Sequence, residues 1–196
     1  DEELPLSLRL LLPIVENSVS DGSMRPGDIV KTRNGSTVEI DNTDAEGRLI
    51  LADALTYAAE KPCDLLLNFA TLTGAARVAL GPEIPALFSN DENFTQTIFT
   101  ASQTENDLVW PLPLHQPYQA WIEPSVADIA NSATVPTGGA ITAALFLKHF
   151  IGQAKFPFAH IDVMAWNIRN RPGRPEGGEA MGLRAAFSAI KQHFNL

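Results

Sequence analysis

The sequence predicts an α/β domain in which a mixed, mostly parallel sheet carries helices on both faces. Apolar segments of strand length alternate along the chain with segments of helical periodicity, and the connections between them are long enough for crossovers. The chain has 196 residues and is 45% hydrophobic, which is sufficient for one sizeable core.

Three apolar segments are predicted as buried strands: residues 6–15, 65–70 and 158–165. The first is rich in leucine and ends in Ile14-Val15, so it is too apolar for a solvent-facing strand and indicates one buried on both faces. A hairpin is predicted from residues 29–32 and 37–40, because the Asn34-Gly35 pair between them favours a tight turn.

Helical segments are predicted at residues 46–60, 75–80, 93–103, 117–122, 140–151 and 179–194. In the first of them, an apolar stripe runs through Leu49, Ala52, Leu55 and Ala59, and Asp44 is placed at or near the N-cap. Residues 127–139 and the Pro/Gly-rich residues 171–178 are predicted as irregular.

The charge balance and the cysteine content narrow the classes of function. The net charge is -9, from 23 acidic and 14 basic side chains, which argues against nucleic acid or an anionic membrane as the main partner. A single cysteine, Cys63, excludes an internal disulfide framework and fits a reducing compartment. The acidic N-terminus is no secretory signal, and apolar runs such as 140–147 are too short to span a membrane. We therefore predict a cytoplasmic location.

The densest cluster of functional groups lies in Asn42-Thr43-Asp44-Ala45-Glu46-Gly47-Arg48. Asp44 and Glu46 are separated by one residue, so both carboxylates can point the same way and offer oxygen ligands to a divalent cation. Arg48 adds a fixed positive charge that can hold an anion. Spacing alone also allows a second interpretation, in which the acidic residues only cap the helix and complement its dipole.

The same segment, continued into Leu49-Ile50-Leu51-Ala52-Asp53-Ala54-Leu55, resembles the signature of the leucyl aminopeptidase (cytosol aminopeptidase) family. Further stretches are similar to that family in the same order along the chain. They are Glu16-Asn17, Arg25-Pro26-Gly27-Asp28, Ala70-Thr71-Leu72-Thr73-Gly74-Ala75, Asp128-Ile129-Ala130-Asn131, Gly138-Gly139-Ala140-Ile141-Thr142-Ala143 and Ala159-His160-Ile161-Asp162. The resemblance covers essentially the whole chain and implies a three-layer sandwich of the zinc-peptidase type.

The resemblance implies a hydrolase that removes N-terminal residues, leucine-like ones preferred, from peptides with two divalent metal ions (Zn²⁺, Mn²⁺ or Mg²⁺). Asp44 and Glu46 match metal ligands, with Glu46 expected to bridge both ions. Arg48 matches an arginine that holds a bicarbonate acting as general base. Thr71, Leu72 and Gly74 match a loop whose backbone contacts the substrate. A homo-oligomer, a hexamer in the family, is expected.

The family pattern also includes a lysine and two aspartates as further ligands, and a second lysine for the substrate carbonyl, all upstream of the matched region. No lysine precedes Lys31, and no counterpart of the family's Gly-rich ligand segment is present. We therefore expect residues 1–196 to be the C-terminal portion of the catalytic domain, without the upstream ligands and the N-terminal domain. A fragment of a longer product, a processed chain and a deliberately trimmed domain all fit this expectation.

Two rival functions stay open at this point: a non-catalytic assembly module of the same fold, and DNA binding, against which the acidic charge counts. Among the histidines, His115, His149 and His193 are predicted as surface or core residues, and His160 as a partner in a structural hydrogen bond. Asp128 and Asn131 are predicted either to order their loop or to contact substrate.

Overall fold

The structure is a computed structural model that describes residues 3–16, 18 and 20–196. Asn17, the second residue of the Glu16-Asn17 pair, lies outside the described residues. The strands are β1 (Ile29–Lys31), β2 (Thr37–Glu39), β3 (Leu66–Ala70), β4 (Ala86–Ser89), β5 (Trp110–Pro111), β6 (Ile129–Ala130), β7 (Phe158–Asp162), β8 (Trp166–Asn167) and β9 (Gly177–Gly178). The helices are α1 (Glu46–Ala59), α2 (Gly74–Leu80), α3 (Glu92–Thr104), α4 (Gly139–Phe150) and α5 (Leu183–His193), with a 3₁₀ helix at Gln116–Ile122.

The central sheet has the strand order β3-β7-β4-β5, and two of its three pairings are parallel. β7 pairs in parallel with β3 and antiparallel with β4, and all five of its residues are buried. This confirms the predicted mixed, mostly parallel sheet. A smaller sheet of order β1-β2-β6 contains the predicted hairpin, with Gly35 at φ 90 in its turn.

The core lies on both faces of the central sheet, because the residues of β7 alternate between them. Phe158 packs with residues of α1 and α4 on one face. Ala159 and Ile161 pack with residues of α3 and α5 on the other face. The predicted arrangement of helices on both faces is therefore confirmed. Within the described part of the chain, no helix has both the length and the apolar character needed to cross a membrane.

The buried strand predicted at residues 6–15 is wrong. None of these residues is in a strand, and Leu8 and Ile14 are 86% and 88% exposed. A strand needs a hydrogen-bonded neighbour, and β3, which has β7 on one side, pairs with no other described strand. Apolar content alone therefore predicted a strand for which the described residues provide no hydrogen-bonded neighbour.

Helix starts also differ from the prediction, for local reasons. The N-cap of α1 is Ala45, which makes no side-chain capping bond, and Asp44, predicted at or near the N-cap, directly precedes it. α5 begins at Leu183 instead of residue 179, because Gly182 adopts φ 77 and the buried Asp107 carboxylate accepts the amide protons of Gly182, Arg184 and Ala185.

Candidate functional site

One cavity of about 720 Å³ is lined by all six residues that the resemblance assigns to metal, anion or substrate binding. Its wall consists of residues 10–14, the start of α1, the end of β3 and the loop that leads into α2. Asp44, Glu46, Arg48, Thr71, Leu72 and Gly74 all line it. Because 20 or more residues separate the two groups in the chain, their convergence follows from the fold and not from local sequence.

The turn that carries the two carboxylates is held by a buried asparagine. Asn131 is fully buried, and its Oδ1 accepts the amide protons of Asp41 and Asn42 at 2.9 and 3.1 Å. Its Nδ2 donates to the Asn42 carbonyl at 2.6 Å, and the Asn42 side chain in turn accepts the amide proton of Asp44. The loop-ordering role considered for Asn131 is therefore present in the structure.

The carboxylates themselves face the cavity from the start of α1. Asp44 is exposed, and Glu46, the first residue of the helix, is half-buried. Since Ala45 occupies the N-cap position without a side-chain bond, the capping interpretation of Asp44 loses its support. Among the described residues, no group of three or more His, Cys, Asp or Glu side chains has an arrangement suited to a metal ion.

Arg48 is a mostly buried cation in the cavity wall. Burial lowers its pKa to about 10, while the negative charge of Asp162 acts in the opposite direction. The guanidinium carbon lies 5.9 Å from the centre of the Phe146 ring. Its Nε atom is buried and has no hydrogen-bond partner among the described residues. Arg48 is thus charged at neutral pH and still has a donor group to satisfy.

Asp162, at the carboxyl end of β7, holds the loop on the opposite wall. It is 3% exposed, and its Oδ1 accepts the amide protons of Leu72 and Thr73 at 3.0 and 3.2 Å. Its Oδ2 accepts the Thr73 hydroxyl proton at 2.6 Å, and the same hydroxyl oxygen accepts the amide proton of Ala76 as the cap of α2. Burial raises the pKa of Asp162, and these hydrogen bonds oppose that effect.

His160 is the histidine for which the sequence predicts a structural hydrogen bond. His160 is fully buried, and its Nδ1 lies 2.6 Å from the Oδ1 of Asn68, its register partner on β3. This confirms the prediction. Burial, with a smaller effect from Arg48, lowers the pKa of His160 to about 3, so the ring is neutral.

The other histidines and Asp128 lie away from this cavity. His115 packs edge-on against Tyr118, and His193 packs against Phe94, as expected of structural residues. His149 makes a 3.3 Å contact with the hydroxyl of Ser36, and burial lowers its pKa. Asp128 accepts the amide and hydroxyl protons of Thr37, which orders the start of β2 and holds the pKa of Asp128 low.

Sequence reasoning assigned no role in the site to Asn68 or Asp162. The signal was present in the pattern: each is a polar residue in a mostly apolar strand, and such a residue needs a buried partner. What the pattern lacked was the register of β3 with β7, which places Asn68 opposite His160 and Ala70 opposite Asp162.

Comparison with known proteins gives one consistent result. A family model described as the cytosol aminopeptidase family, catalytic domain, matches residues 1–187. A probable cytosol aminopeptidase of Synechococcus sp. (strain WH7803) is 42% identical over 192 residues, which cover 97% of this chain and 38% of the relative. One of Cenarchaeum symbiosum is 43% identical over 198 residues, covering 97% of this chain and 40% of the relative.

Solved structures agree with these sequence matches. The cytosol aminopeptidase of Coxiella burnetii is similar with a TM-score of 0.88 and 52% identity, over 92% of this chain and 39% of that one. A mutant tomato leucine aminopeptidase gives a TM-score of 0.81 and 37% identity over 90% of this chain and 34% of its own. The bottromycin maturation enzyme BotP in complex with Mn gives a TM-score of 0.81 and 36% identity, over 88% of this chain and 39% of its own. The chain thus spans about two fifths of the length of the relatives it matches.

Proposed function

Because the chain belongs to the cytosol aminopeptidase family, we propose that it is the C-terminal portion of the catalytic domain of a metal-dependent aminopeptidase. The enzyme would hydrolyse peptides at their N-terminal residue, with leucine-like residues preferred. The observation that carries this proposal is the convergence of Asp44, Glu46, Arg48 and the loop 71–74 on one cavity.

Asp44 and Glu46 are the proposed metal ligands. Carboxylate oxygens suit Mn²⁺, Mg²⁺ and Zn²⁺, and one relative is described in complex with Mn. Bound divalent ions would polarise the scissile carbonyl and activate a water molecule. Two carboxylates do not complete such a site, and among the described residues no third acidic, histidine or cysteine side chain is grouped with them. We therefore propose that the remaining ligands come from the part of the relatives' length that this chain does not cover.

Arg48 is the proposed anion holder, with bicarbonate as the anion. Its pKa of about 10 leaves the guanidinium charged at neutral pH. The surrounding burial strengthens its attraction for an anion, because less water screens the charge. Bicarbonate held there would lie beside the two carboxylates and could take a proton from the attacking water as general base.

The loop 71–74 is the proposed substrate contact. Thr71 and Gly74 are exposed towards the cavity, so an entering peptide can touch their backbone. The amide protons of Leu72 and Thr73 are already donated to Asp162. Because the Leu72 amide is engaged, we propose that the Leu72 carbonyl oxygen contacts the substrate, since a carbonyl accepts hydrogen bonds from a free α-amine.

A cytosolic location and a homo-oligomer, a hexamer as the resemblance implies, complete the proposal. The names of the relatives support the location, since they are described as cytosol aminopeptidases. A non-catalytic assembly module remains the second candidate, because Asp44 and Glu46 are the only acidic residues among the described residues that line the cavity.

The test combines metal binding with turnover. Mn²⁺ is titrated into the 196-residue chain and followed by electron paramagnetic resonance, and release of the chromophore from a leucine anilide is measured on the same samples. We expect weak Mn²⁺ binding that Asp44→Asn and Glu46→Gln abolish and that the matched surface variant Glu92→Gln retains. Turnover should be near background until the missing ligands are supplied on a longer chain.

Either of two results would overturn this assignment. Mn²⁺ binding that both site variants leave unchanged would remove Asp44 and Glu46 as ligands. A longer chain carrying the complete ligand set that still failed to release the chromophore would favour the assembly module.

A further inference from the structure

Two buried nitrogen atoms near the candidate site lack hydrogen-bond partners among the described residues. They are Nε of Arg48 on α1 and Nε2 of His160 on β7. His160 is fully buried, and Arg48 lines the same cavity as Asn68, the residue that contacts the other nitrogen of the His160 ring. Because buried polar groups are rarely left unpaired, both nitrogen atoms are expected to have a hydrogen-bond partner in the folded protein.

The proton on the His160 ring can be placed from its two neighbours. At 2.6 Å, the contact between Nδ1 and the Asn68 side chain is a hydrogen bond, so one partner donates and the other accepts. If Asn68 presented its amide group, the ring proton would lie on Nε2, in a ring that already feels the positive charge of Arg48. If Asn68 presents its oxygen, the proton lies on Nδ1 and a lone pair lies on Nε2. A cation favours the lone pair, so the second arrangement is more stable.

The surroundings keep the ring neutral in that form. The guanidinium of Arg48 is near enough to lower the pKa of His160 further than burial alone does. Phe88 stacks on the imidazole, with ring centres 6.1 Å apart and planes 15° apart, and offers no hydrogen-bonding group. His160 is therefore a permanent acceptor at Nε2, and Arg48 has a donor at Nε.

We propose that His160 is a positioning residue for Arg48: Asn68 fixes the ring as the neutral tautomer protonated at Nδ1, and one water molecule accepts the Nε–H of Arg48 and donates to Nε2. This fixes one edge of the guanidinium against the sheet and leaves its terminal nitrogen atoms free for the cavity. The importance of that orientation for an anion rests on the proposed function, whereas the tautomer and the contact do not.

The first experiment reads the tautomer on the intact chain by nitrogen-15 NMR. We expect the Nδ1 resonance of His160 in the protonated range and the Nε2 resonance in the range of a hydrogen-bonded acceptor. Arg48→Met should move Nε2 towards the value of a free acceptor and leave Nδ1 in place. The matched control Arg33→Met removes an exposed arginine and should change neither resonance. A proton on Nε2, or an Nε2 shift that Arg48→Met does not alter, would overturn the proposal.

The second experiment measures bicarbonate binding through the Nε–H resonance of Arg48. Loss of one hydrogen bond to a charged group corresponds to roughly a tenfold change in affinity. We expect His160→Phe to weaken bicarbonate binding by about that factor. His160→Gln, whose amide oxygen can replace Nε2 as acceptor, should recover most of it. Equal losses in the two variants would mean that His160 only fills space, and would refute the positioning role.

The two experiments separate this inference from the proposed function. If the tautomer and the Arg48 contact are as stated but bicarbonate does not bind the wild-type chain, the anion role of Arg48 fails and the positioning contact stands. If the ring carries its proton on Nε2, the positioning role fails even where bicarbonate binds.

Discussion

Acid should destabilise this protein through His160, and the effect can be calculated. The ordinary pKa of a histidine is 6.5, and burial lowers that of His160 to about 3. Between these two values the unfolded chain binds a proton at this residue and the folded chain does not. Stability therefore decreases as the pH falls below 6.5, and the loss continues until the pH approaches the pKa of the folded state.

The size of the effect follows from the gap between the two pKa values. Each pH unit in this window costs about 1.4 kcal/mol per proton. Acidification from pH 7 to pH 5 crosses about one and a half units of the window, so His160 alone should remove about 2 kcal/mol from the free energy of unfolding. This is a large part of the 5 to 15 kcal/mol that is typical of a folded domain.

The assay is urea unfolding at pH 7 and pH 5, performed on the wild-type chain and on His160→Gln. Carboxylates and other histidines change stability in both proteins alike, so the difference between the two pH dependences isolates His160. We expect the wild-type chain to lose about 2 kcal/mol more than the variant. Parallel pH dependences would show that His160 is not held neutral, and the reasoning would fail.

Three further predictions concern stability and use urea unfolding as the measurement. Asp162→Ala leaves two amides and a hydroxyl without their acceptor and should cost about 3 kcal/mol. Asp64→Ala, at an exposed site, should cost under about 0.5 kcal/mol. Similar costs for the two variants would contradict the anchoring role of Asp162. Gly138→Ala should cost about 3 kcal/mol, because φ is 65 and the new Cβ would lie 3.0 Å from an aromatic ring. Gly152→Ala, where φ is 60 and the space is open, should cost about 1 kcal/mol. A cost for Gly138→Ala no greater than that for Gly152→Ala would exclude the clash. Ala165→Gly should stabilise by about 0.5 kcal/mol because φ is 54 at that position; destabilisation would count against the left-handed conformation.

The fold was predictable where a segment's own composition determines its environment. β3 and β7 are mostly apolar runs, α1 has an apolar stripe, and α4 is apolar along most of its length, so local sequence was sufficient. β5 has only two residues, one of them proline, and carries no periodic signal. Residues 6–15 show the limit of the method, since apolar content predicts a preference for burial but cannot reveal whether a neighbouring strand is present.

In the candidate site, too, some residues could be grouped from local sequence and others could not. Asp44, Glu46 and Arg48 lie in one short segment, so their grouping was visible in the chain and their presence in one cavity follows from a single turn. Asn68, His160 and Asp162 come together only through the register of two parallel strands. Register is set by the pairing of whole strands, and no local pattern specifies which distant residue will lie opposite.

The bond from Asp162 to the amide of Leu72 spans 90 residues, and so does the bond from Asn131 to Asp41. During synthesis, the segment with Asp44 and Glu46 therefore leaves the ribosome long before the residues that will hold its surroundings. Contacts of such sequence separation form late, after the chain has paid the entropy of closing long loops. The two carboxylates consequently meet the rest of the cavity only once β7 has joined the sheet, so that capture of a metal ion would follow folding instead of guiding it.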